Sequence, residues 1–169
     1  MKVIVNKEVT YSRVGRREVL ILALLTALLT GCSGQLPANL GVADGKLSPC
    51  PTRPNCVNSF AADEEHKIDP FKFSVPPKEL MQNLKSVVSS REGAQIVEEK
   101  ELYLRAEFTS SFFKFVDDVE FLIEPDTQTL HCRSASRVGY SDMGANRDRI
   151  VAILNELDSA ISSLNEKPS

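Results

Sequence analysis

The stretch FKFVDDVEFLIEPDTQTLHCRSASRVG, Phe113 to Gly139, reads as two strands joined by a turn at Pro125–Gln128. Beyond the turn the chain alternates. Leu130, Cys132, Ser134 and Ser136 face one way, and His131, Arg133, Ala135 and Arg137 face the other. Before it, Asp118 and Glu120 are candidates for the face shared by Arg133 and Arg137, as are Tyr103, Arg105 and Glu107. That pattern decides for an antiparallel sheet with one apolar and one charged side.

Working outward, AQIVEEKELYLRAEFTS (Ala94–Ser110) predicts two more strands with a turn near Glu99–Lys100. Leu102, Leu104, Ala106 and Phe108 alternate there with Tyr103, Arg105 and Glu107. A short strand is expected around Phe71 and Phe73. Pro76-Pro77 opens a helix carrying Leu80, Met81, Leu84, Val87 and Val88 at helical spacing, closed by Gly93. A longer helix is expected from about Gly144 to Leu164, with Asp142 as N-cap and Ile150, Ile153, Leu154, Leu157, Ile161 and Leu164 as its apolar stripe. The fold class is therefore α+β: one antiparallel sheet of about four to five strands packed by two helices, the longer one C-terminal.

The first 31 residues read as an export leader. Lys2, Lys7, Arg13, Arg16 and Arg17 precede an apolar run of 11, Val19 to Leu29, too short to span a bilayer. LTGC, Leu29 to Cys32, follows as a lipobox, which makes Cys32 the lipid-attachment residue of the mature protein. Arg16-Arg17 also fits a twin-arginine export signal, against general secretion. Residues 32–48 are rich in Gly, Pro, Asn and Ser without periodicity and are expected as a flexible tether. Residues 49–165 form the single folded domain. These expectations place the protein at a membrane of the cell envelope, facing the periplasm, or the thylakoid lumen in a photosynthetic organism.

Without the leader, 138 residues carry 15 Lys+Arg against 21 Asp+Glu, a formal charge of −6. A net acidic domain without a basic block argues against nucleic-acid binding. Cys50 and Cys56 bracket CPTRPNC, whose two prolines stiffen the loop, and in an oxidising compartment they are expected to form a disulfide. The rival is a metal clip completed by His66 or His131, for which the spacing is too wide. Neither a metal nor a cofactor is expected. Cys132 is read as a buried thiol.

CPTRPNCVNS (Cys50–Ser59), FVDDVEF (Phe115–Phe121) and RSASRVGYSDMGANRDRI (Arg133–Ile150) together resemble the domain of unknown function 1499 (DUF1499) family. The resemblance implies a single exported domain, commonly a small lipoprotein, and it brings no established activity. Cys132 departs from the family pattern, where an aliphatic residue is expected.

Four arginines in RSASRVGYSDMGANRDR set the functional question. Arg133 and Arg137 share a strand face about 13 Å long. Arg147 and Arg149 stand at a helix N-terminus, where the dipole opposes positive charge. One reading makes Arg133, Arg137, Tyr140 and Arg147 a site for an anionic small molecule, lipid or envelope partner. A second makes the arginines structural, in ion pairs with Asp117, Asp118 and Asp142. A third, hydrolase or transferase chemistry, would use His131 or His66, and gains if His131 lies beside Ser141 and Asp142. Phe112, Phe113 and Phe115 are expected in the sheet core and edge. The leading expectation is a non-catalytic, lipid-anchored envelope protein that binds an anionic small molecule, lipid or partner through Arg133, Arg137, Tyr140 and Arg147, with the structural role and the hydrolase or transferase as alternatives.

Overall fold

The alternation around the Pro125–Gln128 turn builds the hairpin expected of it. In the computed structural model, which describes residues 34–165, the elements are β1 (Val42–Ala43), β2 (Lys46–Leu47), β3 (Cys56–Asn58), β4 (Phe71–Lys72), α1 (Pro77–Ser89), β5 (Ala94–Lys100), β6 (Tyr103–Thr109), β7 (Val116–Glu124), β8 (Thr129–Ser136) and α2 (Ala145–Asn165). The leader and the lipobox at Cys32 lie outside the described residues.

The main sheet is antiparallel in the order β3-β8-β7-β6-β5, with β4 also paired to β8. It has six strands rather than four to five, because β3 and β4 share one edge of β8. The short β3 lies opposite Arg133–Ala135, and β4 lies opposite Thr129 and Leu130. Neither is long enough to show a period. The β5–β6 turn falls at Glu101–Leu102, slightly beyond Glu99–Lys100, since Lys100 still pairs with Tyr103 across a strand bulged between Ile96 and Glu98.

One face of the sheet carries the core. Leu104, Ala106, Val119, Phe121, Ile123, Leu130 and Cys132 pack with Leu80, Leu84 and Val88 of α1 and with Ile150, Ile153 and Leu157 of α2. Each large side chain buried this way contributes about 1.5–3 kcal/mol of transfer free energy. The free Cys132 thiol is sealed inside, and burial pushes its pKa up to about 12. Gly93, at φ 74, turns the chain from α1 into β5 so tightly that a Cβ there would lie 2.3 Å from the Thr109 carbonyl oxygen.

The opposite face is covered as well, and here the flexible-tether expectation is corrected. β1 and β2 form a hairpin, and the segment around it straps the sheet. Gly41 N–H donates to Glu120 Oε1 at 2.6 Å, and Leu47 is buried. Gly34 sits so close that a Cβ on it would come 2.8 Å from the Arg137 Cβ. The strap stays because the sheet beneath it holds a buried carboxylate that needs backbone donors. The expected Cys50–Cys56 disulfide is present just beyond the strap, its Cα atoms 5.7 Å apart. Closing so short a loop stabilises the fold by about 2 kcal/mol on the chain-entropy account.

Candidate functional site

Under the strap, the outward side chains of β6, β7 and β8 make a continuous lattice of charge. The β7–β8 register sets Glu120 opposite Arg133, and Arg133 Nη1 donates to Glu120 Oε2 at 2.7 Å. This pair is 2 % and 0 % exposed. Tyr103 Oη donates to the other Glu120 oxygen at 2.9 Å. Arg137 grips Asp118 with two bonds, Nε to Oδ2 and Nη2 to Oδ1, each 2.8 Å, and also donates to Glu107. Arg105 adds longer contacts to Glu98, Glu107 and Asp118. The bidentate Asp118 bond, against the opposing cost of burial, holds the Arg137 guanidinium even more firmly protonated than usual. Burial, reinforced by the Glu120 carboxylate, raises the Tyr103 phenol well above its ordinary range.

The expected partners are thus partly reassigned. Arg137 pairs with Asp118 as expected, whereas Arg133 takes Glu120 instead of an aspartate. Asp117 points to the helical side and pairs with Arg149 Nη2 at 2.6 Å. Asp142 pairs with no arginine among the described residues. Its carboxylate accepts the N–H groups of Gly144 and Asn146, capping α2. Arg147, expected beside Asp142, donates instead to the carbonyls of Lys67 and Glu65 at 2.7 and 3.0 Å. Those bonds and the cap answer the unfavourable dipole at this end of α2 without an added anion.

The arginines, then, are occupied. Lys100, Arg105, Arg133 and Arg137 face four carboxylates, Glu98, Glu107, Asp118 and Glu120, so cations and anions are matched one for one. An anion added there would have to displace a carboxylate already in place. Tyr140 is exposed in the loop after β8, and no hydrogen bond or ion pair among the described residues joins it to Arg133, Arg137 or Arg147. Surface clefts of about 670, 640 and 530 Å³ lie elsewhere. Of the four candidate binding residues, only Arg147 lines one of them, beside Glu64, Lys67 and Asn155.

A joint of asparagines, which the sequence reading missed, ties the disulfide loop to β8 and α2. Buried Asn146 donates from Nδ2 to the Asn55 carbonyl and to Ser136 Oγ, both at 3.0 Å. Its Oδ1 accepts from Ser134 and from Arg149 Nη1. Asn55 Nδ2 in turn donates to the Gly139 carbonyl at 2.9 Å. CPTRPNC and GANRDR, far apart in the chain, meet here.

The two histidines are separate. His131 lies beside Ser59 and Glu124 rather than Ser141 and Asp142. Ser59 Oγ is 3.2 Å from Nδ1, and Glu124 Oε2 is 3.5 Å from Nε2. The order acid–imidazole–hydroxyl is that of a serine hydrolase relay. Yet the Ser59 hydroxyl also accepts the Cys132 N–H, and the Phe60 ring stacks on the imidazole at 4.0 Å. The arrangement braces the loop after β3 against β8.

His66 has an acceptor at each ring nitrogen: Asp63 Oδ1 2.7 Å from Nδ1, and the Arg53 carbonyl 3.1 Å from Nε2. Burial opposes its charge, but the bonds to Arg53 and Asp63 outweigh burial and raise its pKa. A raised native pKa stabilises the fold in full below the unfolded value near 6.5, and that contribution is lost as pH rises through the higher native value. Urea denaturation should show stability falling as pH rises above the unfolded value near 6.5, and His66→Gln should flatten that slope. An unchanged slope in the variant would mean that another group titrates.

Phe112, Phe113 and Phe115, expected in core or edge, stand instead in the loop between β6 and β7, 84 %, 66 % and 44 % exposed. No group of three or more His, Cys, Asp or Glu among the described residues could hold a metal ion.

Comparison with family models matches residues 46–157 to a protein of unknown function, DUF1499. No curated protein matches the chain.

Proposed function

The chain belongs to the DUF1499 family, whose function is unknown, and from that premise we propose that it is a non-catalytic, lipid-anchored protein of the cell envelope whose arginines hold its own fold. The observation that carries this reading is the charge-matched lattice: three guanidiniums and the Lys100 ammonium are paired with four carboxylates of the protein itself. The leader, the short apolar run and the LTGC sequence support the anchor at Cys32. The protein acts through its surface, as a docking body held at the membrane.

Native mass spectrometry of the mature protein, released from its envelope in detergent, tests this. The expected species carries a diacylglyceryl adduct on Cys32 and no other retained mass. A bound anion that disappears in Arg137→Ala, with melting unchanged, would replace this reading with a ligand site. A hydrolase is the second reading, favoured by the Ser59–His131–Glu124 order. In the same spectra, a fluorophosphonate adduct absent from Ser59→Ala would establish it; none is expected.

A further inference from the structure

The β6–β7 loop is built to hold its aromatic residues out, not to tuck them in. Ser110 N–H donates to the Phe115 carbonyl, Phe115 N–H to Ser110 Oγ, each at 2.9 Å, and Lys114 N–H to the Ser110 carbonyl at 3.2 Å. Lys114 adopts φ 57 at the bend. The rings of Phe112 and Phe113 meet edge to face at 4.8 Å, and those of Phe113 and Phe115 stack at 5.4 Å. These contacts are within the loop itself, so the loop ends in a preformed apolar knob with a cation beside it. A soluble domain rarely leaves such a patch uncovered.

The position of the knob indicates what covers it. Its base is the first residue of β7, Val116, whose carbonyl accepts the Arg137 N–H. Gly34 packs on Arg137 and Val138, so the strap enters the fold at this same end of the sheet. Only Ser33 separates Gly34 from Cys32 in the sequence, two residue steps with a reach of about 7 Å at full extension. The loop leaving β8 at this end carries exposed Tyr140 and Met143, and the strap carries exposed Leu36. The apolar surface is therefore gathered where the lipid would be attached.

We infer that the Phe112–Phe115 loop is a second membrane contact, its phenyl rings entering the bilayer interface beside the acyl chains on Cys32 while Lys114 meets anionic headgroups. This rests on the lipid-anchor reading above. A protruding knob suits a soft, apolar layer, since rings raised on a loop have no groove of their own to offer a peptide. Amphipathic surfaces of this kind bind through apolar area plus attraction to anionic lipid. The contact would fix the domain's orientation on the membrane, with the opposite end of the sheet, at the β5–β6 and β7–β8 turns, directed to solution.

The chain has no tryptophan, so Phe113→Trp introduces a single optical probe. The lipidated protein carrying it is placed in vesicles of phosphatidylethanolamine and phosphatidylglycerol. Blue-shifted emission, quenched by brominated lipid, is expected, while the indole of Val97→Trp on the edge strand stays in water. With Cys32→Ser, the unanchored chain should bind these vesicles weakly, and Phe112→Ser with Phe115→Ser should reduce that binding by roughly tenfold. An anchored chain with a water-exposed, unquenched Phe113→Trp indole overturns the inference and leaves the anchor standing. Vesicle binding equal with and without Cys32, together with a quenched indole, overturns the anchor and keeps the loop contact. Emission that is shielded in native envelopes but insensitive to brominated lipid overturns the bilayer as occupant in favour of a protein. Unchanged melting of the serine variant excludes misfolding as the cause of lost binding.

Discussion

Glu120→Ala is expected to destabilise the domain by about 3–5 kcal/mol, the typical cost of removing one partner from a buried ion pair. Three donors converge on that carboxylate: Arg133 Nη1, Tyr103 Oη and the Gly41 N–H. Without it, the Arg133 guanidinium remains 2 % exposed with no anion beside it. Its Nε already lacks an acceptor among the described residues, so the site has little with which to compensate. Gly41 would also release its end of the strap, which lets water reach the lattice. Single domains hold about 5–15 kcal/mol in all, so this one change removes a large share.

The pair itself is worth much less than its rupture costs. Glu120→Leu combined with Arg133→Met should recover most of the loss, because two apolar side chains of similar volume avoid the desolvation cost altogether. Glu120→Gln should fall between, keeping an acceptor for Tyr103 and Gly41 while losing the charge. Urea denaturation of Glu120→Leu, Arg133→Met and the double variant closes the cycle. A Glu120→Ala form within about 1 kcal/mol of the parent would show that the strap already admits water to this face.

Much of this lattice was legible in the sequence, and the rest followed from one further step. Period-two alternation places Arg133, Arg137, Asp118 and Glu120 on one face, and the helical stripes place α1 and α2. The Pro125–Gln128 turn then fixes the register, since a hairpin closing symmetrically about it sets Glu120 opposite Arg133. Pairing by charge alone instead pointed Arg133 to the neighbouring aspartates. The strap could not be read this way. Residues 34–48 show no period, and they are held by Gly41 and Leu47 contacts to strands far along the chain. β3 fails for the same reason, being too short to alternate, whereas β4 falls where the short strand around Phe71 and Phe73 is expected. The Phe112–Phe115 loop misled because three aromatics before a strand look like the strand itself. The Ser110 side chain and the Lys114 backbone, not hydrophobicity, decide where the strand begins.

The asparagine joint offers the second large effect. Asn146→Ala should cost about 2–4 kcal/mol, because each buried polar group left without a partner costs about 1–3 kcal/mol. Its amide group bonds Asn55, Ser136, Ser134 and Arg149 at once, and all of its side chain is buried. The orphans differ in gravity. Arg149 keeps Asp117, and Ser134 keeps Arg149, so the charge stays paired. The Asn55 carbonyl still accepts the Ser136 N–H. The loss therefore falls on the amide's own bonds and on the gap left by the side chain, short of what a stranded charge would cost. Asn146→Asp discriminates further. It preserves the acceptor facing Ser134 and Arg149 but turns an oxygen toward the Asn55 carbonyl, where two acceptors repel. It should therefore be no more stable than the alanine form in thermal melts at neutral pH, despite the neighbouring arginine. Were Asn146→Asp to melt with the parent, the Arg149 contact would be the one that matters, and the tie between the disulfide loop and α2 would rest on backbone pairing alone.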